Sequence, residues 1–185
     1  MKTIKDRKKL NGFRGVFHRM SKNRLAMLGL FIIIVLVLMA VFADFVAPYT
    51  FDGTDLENQF AGPSAAHPFG QDEFGRDILS RVIYGARISL KVGFISVGIA
   101  LIVGSFIGAV TGYFGGRVDT ALMRFIDVLQ AIPDILLAIA IVASLGPGLG
   151  NLMIAVGIAG IPGYAKIVRS AVMSIVDMEF IEAAR

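Results

Sequence analysis

The feature that most constrains this chain is its long, uninterrupted apolar runs. Residues 25–43 carry no charge and are rich in Leu, Ile and Val, and residues 92–116 are charge-free for 25 positions. A helix in a soluble domain needs only one apolar stripe. A helix apolar all round belongs in a bilayer or a large core. At 1.5 Å per residue the first run reaches about the ~30 Å of a hydrocarbon core. A basic start, an apolar run and the tripeptide Val41, Phe42, Ala43 also resemble a signal peptide. The run exceeds a signal core of about 7–15 residues, and further apolar segments follow, so it reads as an uncleaved anchor.

Two more spans are expected. One runs over about 119–145, carrying Arg124, Asp127 and Asp134, with a kink at Pro133. The other covers about 152–168, where Pro162 and Gly163 permit a bend, followed by a mixed polar helix over 170–185. Charges inside spans are costly and face protein or water. Arg124 and Asp127, three apart, are expected to pair on one face.

Nine of the eighteen basic residues fall in the first 24 positions, so the net charge of +4 is local. It is a topology signal rather than a nucleic-acid signal: the N-terminus is expected in the cytoplasm. Phe13, Val16 and Phe17 suit an interfacial helix there. Four spans return residues 170–185 to the cytoplasm, where Lys166, Arg169 and Arg185 agree with the same rule. Arg76, Arg81, Arg87 and Lys91 fall outside and weaken it locally, but six acids share that stretch.

Residues 47–90 form the outer connection. Pro48, Gly53, Gly62, Pro63 and Pro68 break regular structure, and Asp52, Asp55 and Glu57 keep it wet. From Asp72 to about Leu90 the apolar positions Phe74, Ile78, Leu79, Val82 and Ile83 suggest an amphipathic helix on the outer surface. Asp77 and Arg81, at i and i+4, are expected to pair on a solvated face. Ala100, Gly104, Gly108, Gly112 and Gly116 recur every four residues and define one helix face, on which Gly104, Gly108 and Gly112 are the expected helix-packing residues.

Enzyme chemistry finds little support. With no cysteine, thiolate ligands and nucleophiles are excluded, and His18 and His67 are far apart. His67 with Asp72, Glu73 and Asp77 lacks a second histidine for a metal site. Asp127 and Asp134 lie two helical turns apart, about 10 Å of rise, too far to share a proton as a protease pair. No Gly-x-x-x-x-Gly-Lys-[Ser/Thr] loop is present, so any ATP hydrolysis belongs to another subunit.

Residues 67–90 open on His67, Pro68 and Gly70 and continue with Asp72, Glu73, Gly75, Arg76, Asp77, Ser80, Arg81, Tyr84, Gly85, Ala86, Arg87, Ser89 and Leu90. This stretch resembles the signature of the dipeptide/oligopeptide/nickel-type permeases of ABC importers, with Gln71 where the pattern carries Thr. Gly112, Tyr113, Phe114, Gly115, Gly116 and Asp119 are similar to the family too, as are Leu145, Gly146, Pro147 and Gly148. Residues 179–185 resemble the opening of the family's Glu-Ala-Ala loop, at Glu182, Ala183 and Ala184.

The resemblance implies an all-α polytopic membrane protein of type I ABC importer permease architecture. It implies four transmembrane helices here of an expected six, in a permease cut after the start of the coupling loop. The organisation would be a basic cytoplasmic segment over 1–24, a first span over 25–46, an outer loop over 47–90 and the start of the permease core over 91–185. The family signature in the outer loop is Gly70, Asp72, Glu73, Gly75, Arg76, Asp77, Ser80 and Arg81. Glu179, Glu182, Ala183 and Ala184 would couple to the ATPase. The implied partners are a homologous second permease, two ATP-binding subunits, an external substrate-binding protein and membrane lipid, with no nucleic acid. This chain would bind no cofactor, and ATP with Mg would be used by the partner subunits. The motifs are shared by dipeptide, oligopeptide, glutathione and nickel importers. The rivals from other classes are a membrane enzyme and a non-transporting scaffold fragment.

Overall fold

Where the basic N-terminal run ends, Asn23 starts the first long helix among the described residues. Its side-chain oxygen accepts from the Leu25 and Ala26 N–H groups at 3.0 and 3.3 Å, satisfying donors that a helix start leaves without partners. Helix α1, Arg24–Val41, is apolar all round. Its large side chains, such as Phe31 and Ile33, stand exposed, as a lipid-facing span requires. The computed structural model describes residues 20–176 and 178. These divide into two units, residues 1–90 and 91–185.

In the first unit, α1 is followed by a single turn, α2 (Ala43–Val46), a 3-10 turn at Leu56–Asn58 and the start of α3 (Ile78–Phe114). No separate surface helix over 72–90 exists. Gly75, at φ 70, holds residues 72–77 in a turn, and Asp77 then caps α3, accepting the Ser80 N–H at 2.7 Å. From Ile78 onward nothing breaks the helix, which runs 37 residues, about 55 Å.

The second unit holds the remainder of α3, then α4 (Gly116–Gln130), α5 (Asp134–Leu145) and α6 (Leu149–Val176). Helix α6 is the hub: α4 and α5 both pack on it. Its Ile161 and Ala165 join Ile126 in the buried core, with Ile107, Met123 and Ile158 against them. Small residues let α3 approach it closely. A Cβ on Gly104 would lie 2.8 Å from the Ile161 carbonyl oxygen. One on Gly112 would lie 2.9 Å from that of Arg169, and one on Gly108 would collide with the Ala165 carbonyl. Ala100 faces Gly160, and Gly157 faces Ile99 in return.

Three further expectations change. The 119–145 span is two helices meeting at 88° rather than one kinked rod. Pro133 offers no N–H and sits at ψ 132, outside helical values, and its ring disfavours helical geometry at the residue before it. Gly116 leaves the stripe, because Gly115 at φ 60 and ψ −156 ends α3 and α4 begins one residue later. The last span is longer than the 152–168 stretch, since α6 continues to Val176 through Pro162. Among the described residues, helices α1, α3 and α6 are long and apolar enough to cross a membrane, and the α4–α5 pair adds a fourth when the bent pair is counted as one span. The protein is an all-α membrane protein.

The α3–α6 approach is directly testable. A methyl group at Gly108 meets backbone, whereas one at Gly98 meets open space. Gly108→Ala should lower stability by about 1–3 kcal/mol, the usual cost of overpacking, and Gly98→Ala should not. Thermal unfolding of the two variants in the same detergent separates them.

Candidate functional site

The signature segment between α1 and α3 folds into a polar knot. The chain doubles back so that the Asp55 N–H donates to the Phe74 carbonyl at 3.3 Å, Phe60 to Asp72 at 3.1 Å and Gln71 to Ala61 at 2.9 Å. Two glycines make the crossings feasible. Gly70, at φ 77, would place a Cβ 2.6 Å from the Ala61 carbonyl, and a Cβ on Gly75 would strike the Asp55 backbone.

Asp72 is the centre of the knot. One carboxylate oxygen accepts the Phe74 N–H at 2.8 Å and the Arg76 N–H at 3.0 Å. The other accepts Arg76 Nε at 2.8 Å and the Arg81 guanidinium. Burial pushes the Asp72 carboxyl up, but these donors and the Arg76 charge outweigh it and hold it well below the usual carboxylate range. Arg81 therefore pairs with Asp72 and not with Asp77, because residues 72–77 form a turn that folds Asp72 back towards the first turn of α3.

Asp77 is buried. It accepts the Ser80 N–H, and its Oδ1 lies 3.0 Å from His67 Nδ1. Burial again opposes the charge, and hydrogen bonds from the Ser80 side chain, the Ser80 N–H and His67 overcome it, lowering its pKa. The Ser80 hydroxyl oxygen accepts the Tyr49 N–H at 3.1 Å, and His67 stacks on Tyr49 with ring centroids 4.6 Å apart. Ser80 thus neighbours a carboxylate rather than an imidazole, an arrangement that fixes a loop and does not activate a nucleophile. Gln71 is buried and donates to the Gly75 carbonyl at 2.7 Å. Glu73 is exposed.

Arg87, from the same signature, latches onto the end of α1. It donates to the Ala40 carbonyl at 2.8 Å, the Val41 carbonyl at 3.2 Å and both Asp44 oxygens. These carbonyls are among those a helix C-terminus leaves without intrahelical donors.

In the second unit four charges find partners across helices. Arg169 on α6 holds Asp119 on α4 through Nε at 2.5 Å and Nη2 at 2.6 Å, and Lys166 Nζ lies 2.7 Å from Asp127. The expected Arg124–Asp127 pair gives way to this inter-helix contact, which a local spacing rule does not see. Apolar segments with isolated acids and bases carried the one available signal: each needs a counter-charge. Between α5 and α6 lies an open groove of about 640 Å³. Its walls include Ile135, Ile139, Val142, Leu152 and Val156, and Asp134 stands in its lining. Glu179, Glu182, Ala183 and Ala184 lie outside the described residues. Among the described residues no cluster of metal-ligating side chains is found.

Residues 13–63 match the family described as the N-terminal transmembrane domain of oligopeptide transport permease C. Residues 100–185 match the one described as binding-protein-dependent transport system inner membrane component. The chain is 47% identical over 173 residues to the dipeptide transport system permease protein of Alkalihalophilus pseudofirmus, covering 94% of this chain and 57% of that protein. It is 42% identical over 179 residues to the Bacillus subtilis dipeptide transport system permease protein, covering 97% and 56%. It is 38% identical over 188 residues to the glutathione transport system permease protein of Pectobacterium atrosepticum, covering 98% and 61%. The chain spans somewhat more than half the length of these curated relatives.

The knot should be acid-sensitive. Asp72 and Asp77 are held below the ordinary value of 3.8, so their contribution is present above that pH and is lost as pH falls through the lowered values. Asp77→Asn should cost the loop about 1–3 kcal/mol at neutral pH and reduce the loss seen on acidification. Hydrogen exchange of residues 70–81 at neutral pH and at about pH 3 measures both.

Proposed function

The chain belongs to the dipeptide/oligopeptide-type permeases of binding-protein-dependent ABC importers, and we propose from that premise that it is a transmembrane permease subunit of a peptide importer. It forms the translocation path with a homologous permease. Substrate arrives on an external binding protein, and two ATP-binding subunits hydrolyse ATP. The observation that carries this reading is the placing of α6. It is the hub of the second unit, ion-paired to α4 at Asp119–Arg169 and Asp127–Lys166, and it leads in sequence to the 179–185 segment that resembles an ATPase-docking loop.

In this reading, closure of the ATPase dimer moves the coupling segment, and α6 carries that movement to the helices packed on it, an alternating-access step. The small side chains of Ala183 and Ala184 permit close docking. Glu179 and Glu182 supply anions to the interface. Short peptides are the substrate class. The similarity to glutathione permeases favours glutathione as a second reading within the same family.

The N-terminus lies in the cytoplasm, the 47–77 loop outside, and residues 170–185 in the cytoplasm, following the basic cluster before α1. Single cysteines introduced into this cysteine-free chain test the arrangement with an impermeant thiol reagent. Glu57→Cys should label in intact cells and Leu10→Cys should not, and the reverse pattern inverts the topology.

Coupling has its own test. Glu182→Lys in the assembled transporter puts a cation where the interface receives an anion, and disrupting such a contact costs on the order of 2–5 kcal/mol. The ATP-binding subunits should co-purify poorly and uptake should be lost, while isolated ATPase and binding protein keep their activities. Uptake at the unsubstituted rate would refute the coupling role.

A further inference from the structure

The bent α4–α5 pair holds three acids. Asp119 is held by Arg169 and Asp127 by Lys166. The third, Asp134, has no ion pair or hydrogen-bond donor on its carboxylate among the described residues and lines the α5–α6 groove. It is the first residue of α5, directly behind Pro133 at the 88° break. Asp134 is exposed to this open groove, and one acid in an otherwise apolar lining is a charge to be matched by an occupant. Spans interrupted in this way are tolerated where they line a cavity, and in transporters they contribute to substrate sites.

We infer that the α5–α6 groove is a binding site for the ammonium end of a peptide, with Asp134 as its counter-charge and the apolar walls holding the adjoining side chain. The groove, about 640 Å³, falls within the range of small-ligand pockets, which are mostly apolar with a few placed polar groups. Its occupant is set by charge complementarity. The lining offers one anion, no cation and otherwise apolar side chains, so a cation on an apolar body fits. A bare divalent metal does not, since hard cations take six or more oxygen ligands and one carboxylate supplies too few. The choice of a peptide as the ammonium carrier rests on the permease reading above.

The test uses the assembled transporter, purified without the external binding protein, and two radiolabelled probes: phenylalanyl-alanine amide and its N-acetyl derivative. The assembly should bind the free-amine probe at least about tenfold more tightly than the acetylated one. Asp134→Asn should abolish the preference, and Asp134→Glu should retain it. Equal binding of the two probes, or a preference that survives in Asp134→Asn, would overturn the inference and leave the groove to lipid or a neighbouring helix. If Asp134→Asn fails to assemble, Ala138→Phe fills the groove and keeps the carboxylate. Loss of free-amine binding then supports the site, and retention overturns it. Uptake by the complete system, measured in parallel, separates the two readings. Asp134-dependent binding without any peptide uptake keeps the site and sinks the peptide-transport reading, whereas normal uptake with Asp134-independent binding does the reverse.

Discussion

The second unit depends on one constraint, the backbone-to-backbone approach of α3 and α6. Lipid tails are as apolar as the helices, so no hydrophobic force draws spans together and contact must come from close packing. Gly104, Gly108 and Gly112 remove the side chains that would keep the two backbones apart. Once α6 is seated, its other faces receive α4 and α5, and the Ile126, Ile161 and Ala165 core closes. Ser96 donates to the Met153 carbonyl at 3.0 Å further along the same seam, adding a polar tie where water is excluded.

Charges then give the packing its register. Apolar surfaces slide over one another at little cost, but an ion pair in an apolar setting has one good arrangement and many poor ones. Arg169 with Asp119 and Lys166 with Asp127 fix α4 against α6. In the first unit Asp72 does the same for the loop, drawing Arg76 and Arg81 to one carboxylate.

Much of this was legible in the chain, and the rest was not for physical reasons. The apolar runs place α1, α3 and α6, because a bilayer demands length and uniform apolarity and both are visible in composition. The spacing of Gly104, Gly108 and Gly112 assigns them a common face, but which helix they meet depends on the fold. Pro133 marks a break, yet its 88° angle depends on how α5 seats on α6, which one helix's residues do not encode. Pairing by i and i+3 or i+4 proposed Arg124 for Asp127 and Arg81 for Asp77. In each case a partner outside that window won, Lys166 for Asp127 and His67 for Asp77. Local rules count neighbours along one helix, whereas a carboxylate takes the best donor that the tertiary structure offers, whether it is buried like Asp77 or exposed like Asp127.

The Arg87 latch has a consequence for how the chain is made. The guanidinium that satisfies the Val41 carbonyl lies 46 residues further along the chain. During synthesis, α1 is therefore complete well before its closing donor exists. Its last carbonyls must rely on water at the membrane surface until the signature segment has been translated and the first turns of α3 have formed. The end of α1 is thus a late event in biogenesis although the helix itself is made early. An arrest of translation between residues 47 and 86 would leave an inserted anchor whose terminus has not yet been locked.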